Sequence, residues 1–494
     1  MIRGLRPALP LPAASPMSYP PLQLLIDGQW LAQTSAGTLP VLNPADGSTL
    51  GQLPVAGDAE LAAALAAAER GFARWSRTLP LERFRILGAA TRLIRERAAS
   101  IARTLTLEQG KPLAEAQREV TLSADIIDFL AEEAKRLASR GVPPRLPNVL
   151  SQTVQRVPVG PVAAFTAWNF PANLPARKLG GALAAGCSAI IKPDEQVPGT
   201  CVEFARAFQD AGLPPGVLNL VAGEPARISS TLIASPVIAK VSFTGSVAVG
   251  KLLGEQAARH LKRYTAELGG HAPVIVCADA DGAALAPLAV QAKFRNAGQV
   301  CASPIRFLVQ RSQYAAFRDA FVAGAAALRV GPGLDAGSQL GPLINARRVA
   351  QMQHYVDDAL AHGGALLCGG ARLDRPGFFY APTVIEHAGA DARVQAEEPF
   401  GPIALLDVFD ELDDAIARAN ALPYGLAAYG FTRDLRSAHR LGQELQAGMV
   451  GINHFGVSQP ETPFGGVKDS GLGHESGLEG LLGYTELKFV TIAG

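Results

Sequence analysis

The five cysteines of this 494-residue chain (Cys187, Cys201, Cys277, Cys301, Cys368) are odd in number and widely spaced, with no C-x-x-C pair. Their scarcity excludes a disulfide framework and a cysteine-rich zinc site, so no metal is expected and a reducing, cytoplasmic setting is. An excess of charge is missing as well: 45 Lys+Arg against 44 Asp+Glu leave a net +1. That balance removes the electrostatic footprint of a nucleic-acid or membrane-surface partner. No stretch reaches the ~20 apolar residues of a membrane span. The opening MIRGLRPALPLPAASPMSYP is broken by prolines and holds no signal-type apolar core. Residues 1–20 read as a flexible tail, with Met17 as an alternative start. No internal repeat occurs, which excludes solenoids and propellers. The G-x-G-x-x-G fingerprint of dinucleotide sites is absent after the strand-like run 162–168.

What the chain does have is length and apolar content. At 48% hydrophobic residues it is globular, and its length implies roughly two to four domains. Short strands and turns occupy 24–55, and 58–140 has the Ala/Leu/Glu/Arg content and apolar spacing of helices. An alternating arm follows at 148–160. Then apolar runs at 162–168, 188–193, 217–223 and 238–246 alternate with helical segments. A second series runs through 273–277, 306–310, 364–370, 403–409 and 448–453, and 484–492 reads as a lone terminal strand. Strand–helix alternation means parallel sheets. The expected fold is α/β: two doubly wound, Rossmann-like domains plus a small β oligomerisation arm. Its divisions are a tail at 1–20, one domain from 21–144 and 159–267, a second at 268–474, and an arm from 145–158 and 475–494.

Several residues stand in settings that chemistry could use. Cys301, in FRNAGQVCAS, lies in a loop of small and polar residues rather than in a core segment. A structural thiol is the ordinary alternative, but an open, polarised loop is what a reactive thiolate needs. Glu267, in ELGG, precedes two glycines that permit close backbone approach, as suits a general base; otherwise it is a solvated acid. Asn169, after a buried strand, is either a turn former or an amide donor to an oxyanion. SFTGSVAVG (242–250) runs from strand to helix and offers a phosphate free N–H groups beside Gly245 and Ser246. Lys192 and Glu195 follow another strand end, where they could reach ribose hydroxyls or simply pair in solvent.

These segments together resemble the aldehyde dehydrogenase superfamily. WNFP (168–171), KP-x-E (192–195), FTGS-x-x-x-G (243–250), ELGG (267–270), GQ-x-C (298–301), EEPFGP (397–402) and PFGG-x-K-x-SG (463–471) occur in the family's order. The resemblance spans residues 20–494. It implies Cys301 as nucleophile forming a thiohemiacetal and then a thioester, Asn169 as oxyanion donor, and Glu267 as the base that activates water. The family's acyl-transferring branch lacks this base. The resemblance also implies Trp168, Lys192, Glu195, Gly245 and Ser246 around adenosine and pyrophosphate, Glu398 and Phe400 at the nicotinamide riboside, and Glu475 in proton relay. A carboxylate at Glu195 favours NAD over NADP, because it repels a 2′-phosphate.

For the substrate, Arg177, Arg295 and Ser458 match positions where succinate-semialdehyde dehydrogenases grip a distal carboxylate. Two arginines suit such a clamp, although either could instead pair with a structural acid. The reading is therefore oxidation of succinate semialdehyde to succinate. Phe455, Gln459 and Pro460 depart from that subgroup's pattern and keep other ω-semialdehydes and aromatic or aliphatic aldehydes open. A non-catalytic binding protein on the same fold would have lost the cysteine, base or amide, and all three are present. Exposed strand edges in the arm predict a homodimer or homotetramer.

Overall fold

The computed structural model describes residues 19–494; the tail expected at 1–20, and Met17 with it, falls outside that range up to position 18. Tyr19 is not part of a free tail. Its hydroxyl donates to Glu108 Oε2, and the same carboxylate accepts from the backbone N–H groups of Gly199 at 2.8 Å and Thr200 at 2.9 Å.

The first sheet has eight strands in the order Gln29–Leu31, Leu24–Ile26, Leu218–Leu220, Ala189–Lys192, Val162–Phe165, Lys240–Thr244, Arg263–Glu267 and Gly471–Leu472. Its five central strands are parallel, and antiparallel neighbours close both edges. Val162–Phe165, Ala189–Lys192 and Lys240–Thr244 are buried along their whole length, as strands covered by helices on both faces must be. The predicted helical stretch resolves into Asp58–Trp75, Pro80–Glu96, Ala98–Gln109 and Leu113–Ala134. Its last residues leave the helix, and Arg140–Gly141 is instead a short strand.

The second sheet runs Ala365–Cys368, Thr383–Glu386, Ile403–Phe409, Pro304–Gln310, Ala272–Val276, Ala427–Phe431 and Met449–Ile452, parallel except for the first pair. Ala427–Phe431 carries no predicted strand, because AAYGF has little β-branched content; burial between two parallel neighbours decides it.

One hydrophobic core ends at Leu268 and the next begins at Ala272. The C-terminal segment departs from the expected division. Leu481 and Tyr484 pack into the first core, so only Thr485–Ala493 belongs to the arm, where it pairs antiparallel with Val149–Pro158.

Strand register gathers the site. Phe165 pairs with both Lys192 and Phe243, and Thr244 pairs with Glu267. The loops carrying Asn169, Glu195, Ser246 and Leu268 therefore all leave from the carboxyl edge of one sheet, where open α/β sheets bind ligands. In the second sheet, Cys301 and Phe400 lie just before strands that begin at Pro304 and Ile403. The amino edge of that sheet thus meets the carboxyl edge of the first.

Candidate active site

Cys301 is reached through an unusual backbone: Asn296, Ala297 and Gly298 are consecutive left-handed residues with φ of 50°, 53° and 70°. Left-handed alanine costs on the order of 1 kcal/mol, so neighbours must hold the loop. Asn296 N–H donates to Glu115 Oε2 at 2.9 Å, and its Nδ2 donates to the Asn169 carbonyl at 2.9 Å. A side chain at Gly298 would stand 2.1 Å from the Gly401 carbonyl oxygen, and one at Gly270 would stand 2.7 Å from that of Cys301. Both glycines are there because three loops interlock with no room for a Cβ.

Cys301 is partly exposed, and its thiol is not poised as the thiolate that an open loop implied. Burial in the cavity wall, with Glu398 and Glu267 adding negative charge, pushes it up to about 12 against a weaker pull from Arg177. A base must take its proton. Glu267, 2% exposed, holds two carboxylate oxygens with no partner among the described residues. Burial first, then Glu475, raises it well above the ordinary carboxylate range, while Lys178 and Arg177 oppose. Lys178 Nζ lies 2.5 Å from Glu475 Oε1. The Asn169 amide donates to the Gln299 carbonyl at 3.2 Å, which orients it and leaves its second N–H available. Lys111 Nζ anchors the Asn169 carbonyl at 2.8 Å.

Glu398 Oε1 accepts from Gly270 N–H at 3.0 Å, and burial raises its carboxyl to about 7. Phe400, left-handed at φ 46°, meets Trp168 edge-to-face at 5.3 Å. Arg348 donates to the carbonyls of Pro399 and Phe400 and so pins this loop. Lys192 Nζ donates to Glu195 Oε2 at 2.7 Å. Ser246 caps the helix Val247–Arg259, and the hydroxyl of Thr244, two residues earlier, is buried with no partner among the described residues. An acid–lysine pair, free helix N–H groups, an orphaned hydroxyl and an aromatic pair are the donor set a dinucleotide calls for, so these residues fit one.

A cavity of about 310 Å³ opens from Cys301 and is lined by Phe170, Leu174, Arg177, Arg295 and Ser458. All three expected substrate residues share it, although Arg295 is exposed whereas Arg177 is 3% exposed. Arg177 Nε donates to Asn173 Oδ1 at 2.8 Å, and its two terminal nitrogens to Ser476 Oγ at 2.5 Å and Ser458 Oγ at 2.7 Å. It also stacks on Phe464 at 4.5 Å.

Comparison with known proteins decides the family. A profile of the aldehyde dehydrogenase family matches residues 30–490. This chain belongs to the aldehyde dehydrogenase family. It is 48% identical to the 4-(hydroxymethyl)benzenesulfonate dehydrogenase of Comamonas testosteroni, over 95% of this chain and 97% of the relative. The NADP-dependent succinate-semialdehyde dehydrogenase of Escherichia coli K12 is 41% identical over 95% and 97%. The crystal structure of succinate-semialdehyde dehydrogenase from Burkholderia pseudomallei superimposes with a TM-score of 0.93 at 42% identity, covering 96% of this chain and 98% of that one. The chain is accordingly an NAD(P)-dependent aldehyde dehydrogenase acting on small aldehydes. Among the described residues no helix is long and apolar enough to cross a membrane, and no cluster of metal-ligating side chains occurs.

Sequence reasoning missed Lys111, Asn296, Arg348 and Ser476. The first three act on backbone carbonyls of distant segments, and no spacing rule links such partners. Ser476 had one faint signal, its place beside Glu475 in HESG.

Proposed function

We propose that this enzyme oxidises aldehydes bearing a distal anionic group, succinate semialdehyde first among them, with NAD as the preferred acceptor. One observation carries the reading. Arg177 is a buried guanidinium in the Cys301 cavity whose hydrogen bonds, among the described residues, go only to the neutral side chains of Asn173, Ser458 and Ser476. Glu475 and Glu267 act on this charge from a distance, but a buried cation with no directly bonded counter-ion is expensive, and an anionic substrate group supplies one. The names of the two relatives, one a benzenesulfonate and one a succinate semialdehyde enzyme, each contain an acid group.

The chemistry follows from the cavity. Cys301 Sγ adds to the aldehyde carbon as Glu267 takes the thiol proton, giving a thiohemiacetal whose oxyanion accepts from Asn169 Nδ2 and the Cys301 N–H. Glu398 and Phe400 would hold the nicotinamide of a bound cofactor, which would supply the hydride acceptor that oxidation of the thiohemiacetal to a thioester on Cys301 needs. Once Glu267 has passed the thiol proton to solvent, it takes a proton from water as the water oxygen attacks the thioester carbon. The C–S bond then breaks, the carboxylic acid leaves, and the proton on Glu267 returns to Cys301 Sγ.

In this reading the first unit binds NAD through Trp168, Lys192, Glu195, Gly245 and Ser246, and the second presents Cys301. Glu195 near the adenosine ribose favours NAD. The arm, with Leu487 65% and Phe489 57% exposed, supports assembly as a homodimer or homotetramer. A second substrate reading replaces the aliphatic spacer with an aromatic one, favoured by the walls Phe170, Leu174 and Phe464.

The test is Arg177→Ala with Arg295→Ala. Each lost charged hydrogen bond is worth about 1.5–3 kcal/mol, so kcat/KM for succinate semialdehyde should fall by roughly two to four orders of magnitude. Butanal, which offers no charge, should be little affected. Equal losses on both aldehydes would overturn the anionic substrate.

A further inference from the structure

The Cys301 cavity does not end at its mouth. A second cavity of about 530 Å³ adjoins it, and Glu115, Arg118 and Arg295 line both. Cys301, Arg177 and Ser458 line only the inner one. Two arginines therefore stand farther out than Arg177, on the wall between the chambers.

Neither of those two cations has a directly bonded counter-ion among the described residues. Among the described residues, Arg118 makes no side-chain hydrogen bond or ion pair, and Arg295 only faces the Phe170 ring at 5.8 Å. Glu115, the carboxylate on this wall, accepts from Asn296 N–H and feels both arginines, so one carboxylate stands against two cations and a positive excess remains. Both arginines are exposed, so neither has been drawn into the core for packing. Apolar side chains flank them, Phe170 and Leu174 on the inner side and Val290 and Leu328 on the outer. One buried cation inside the Cys301 cavity and two exposed cations on the wall shared with the second present anion grips at two places along the lining.

We propose that Arg118 and Arg295 form an outer anion subsite, which takes the acid group of aldehydes too long to place it on Arg177. The ligands are aldehydes with a carboxylate or sulfonate on an aromatic ring or on a chain longer than four carbons. This rests on the reading of Cys301 as the reacting centre. The aldehyde end meets Cys301 in every case, and the length of the spacer decides which arginine meets the acid. Arg118 serves only the outer depth, Arg177 with Ser458 only the inner one, and Arg295, which lines both cavities, serves both. A single enzyme thereby accepts short and long anionic aldehydes while discriminating against neutral ones of both lengths.

The experiment compares wild type, Arg118→Ala and Arg118→Glu at saturating NAD on 4-formylbenzoate, benzaldehyde and succinate semialdehyde. Exposed charge pairs are worth up to about fivefold, so Arg118→Ala should lower kcat/KM for 4-formylbenzoate by about two- to fivefold. Arg118→Glu, which reverses the charge, should lower it by about tenfold or more. Benzaldehyde and succinate semialdehyde should hold at wild-type values, and the preference for 4-formylbenzoate over benzaldehyde should shrink as salt is raised. The subsite is overturned if both variants keep the wild-type ratio of 4-formylbenzoate to benzaldehyde, or if they depress the two ring aldehydes equally. Failure of the Arg177 reading is separate. It would appear as wild type showing no preference for succinate semialdehyde over butanal, whatever Arg118 does.

Discussion

Lys178 Nζ sits 2.5 Å from Glu475 Oε1, with side-chain exposures of 0% and 1%. Removing two charges from water costs several kcal/mol per ion, so a pair this deep is poor evidence of added stability. Its consequence lies at Glu267, which Glu475 makes harder to ionise and Lys178 easier. Ser242 bridges the two, accepting from Lys178 Nζ at 3.0 Å and donating to Glu475 Oε1 at 3.1 Å.

That arrangement sets the acid limb of the pH profile. Glu267 works as a base only when ionised, and its affinity for protons is raised, so kcat should climb with pH through a value well above that of a free carboxylate. Lys178→Met removes an opposing cation and should move the limb to higher pH. Glu475→Gln removes a like charge and should move it to lower pH. Limbs that stay in place in both variants would separate the pair from Glu267.

Glu267→Gln should slow the NADH burst, because the thiol loses its base, and should then stall at the thioester that does form, because water is not activated. Steady turnover near wild type would assign deacylation to another base. The same variant carries a stability signature. A carboxyl whose folded-state proton affinity is raised loses stability as pH rises above its unfolded value. The Tm of Glu267→Gln should therefore exceed that of wild type at pH 8, and the gap should close toward pH 4.

Cys301→Ala should abolish NADH production and leave NAD binding intact, as measured by calorimetry. The other thiols offer no substitute: Cys187, Cys201, Cys277 and Cys368 do not line the cavity that opens from Cys301. Substantial residual turnover in Cys301→Ala would refute the covalent mechanism.

Glu195→Ser should relax the cofactor preference by removing the charge that repels a 2′-phosphate. The measurement is the ratio of kcat/KM for NAD to that for NADP. A wild-type ratio below one would already reverse the assignment.

The exposed Phe489 and Leu487 on the terminal strand lead to a test of assembly. Phe489→Glu with Leu487→Lys should lower the mass seen by light scattering. A wild-type protein that is monomeric at working concentration would contradict the proposed role of the arm.

How much of this was legible beforehand depends on the range of each interaction. Parallel strands announce themselves locally, as continuous apolar runs between helical segments, so two parallel sheets and most of their strands could be read from the chain, though not Thr383–Glu386 or Ala427–Phe431 in the second. Cys301, Glu267 and Asn169 stood out because motif spacing and glycine placement are also local. The same held for the acid–lysine pair after Ala189–Lys192, which does form at 2.7 Å. The Tyr19 anchor, the strand at Ala427–Phe431 and the packing of Leu481 and Tyr484 on the first core were not legible, because each depends on a partner far away in sequence. Protonation was the least visible property. A loop of small polar residues looked open enough to hold a thiolate, yet the fold closes Glu398 and Glu267 around Cys301 and its thiol rises to about 12. Residue types and their spacing determine which groups can react; burial and neighbouring charge, which only the tertiary structure creates, decide where their protons reside.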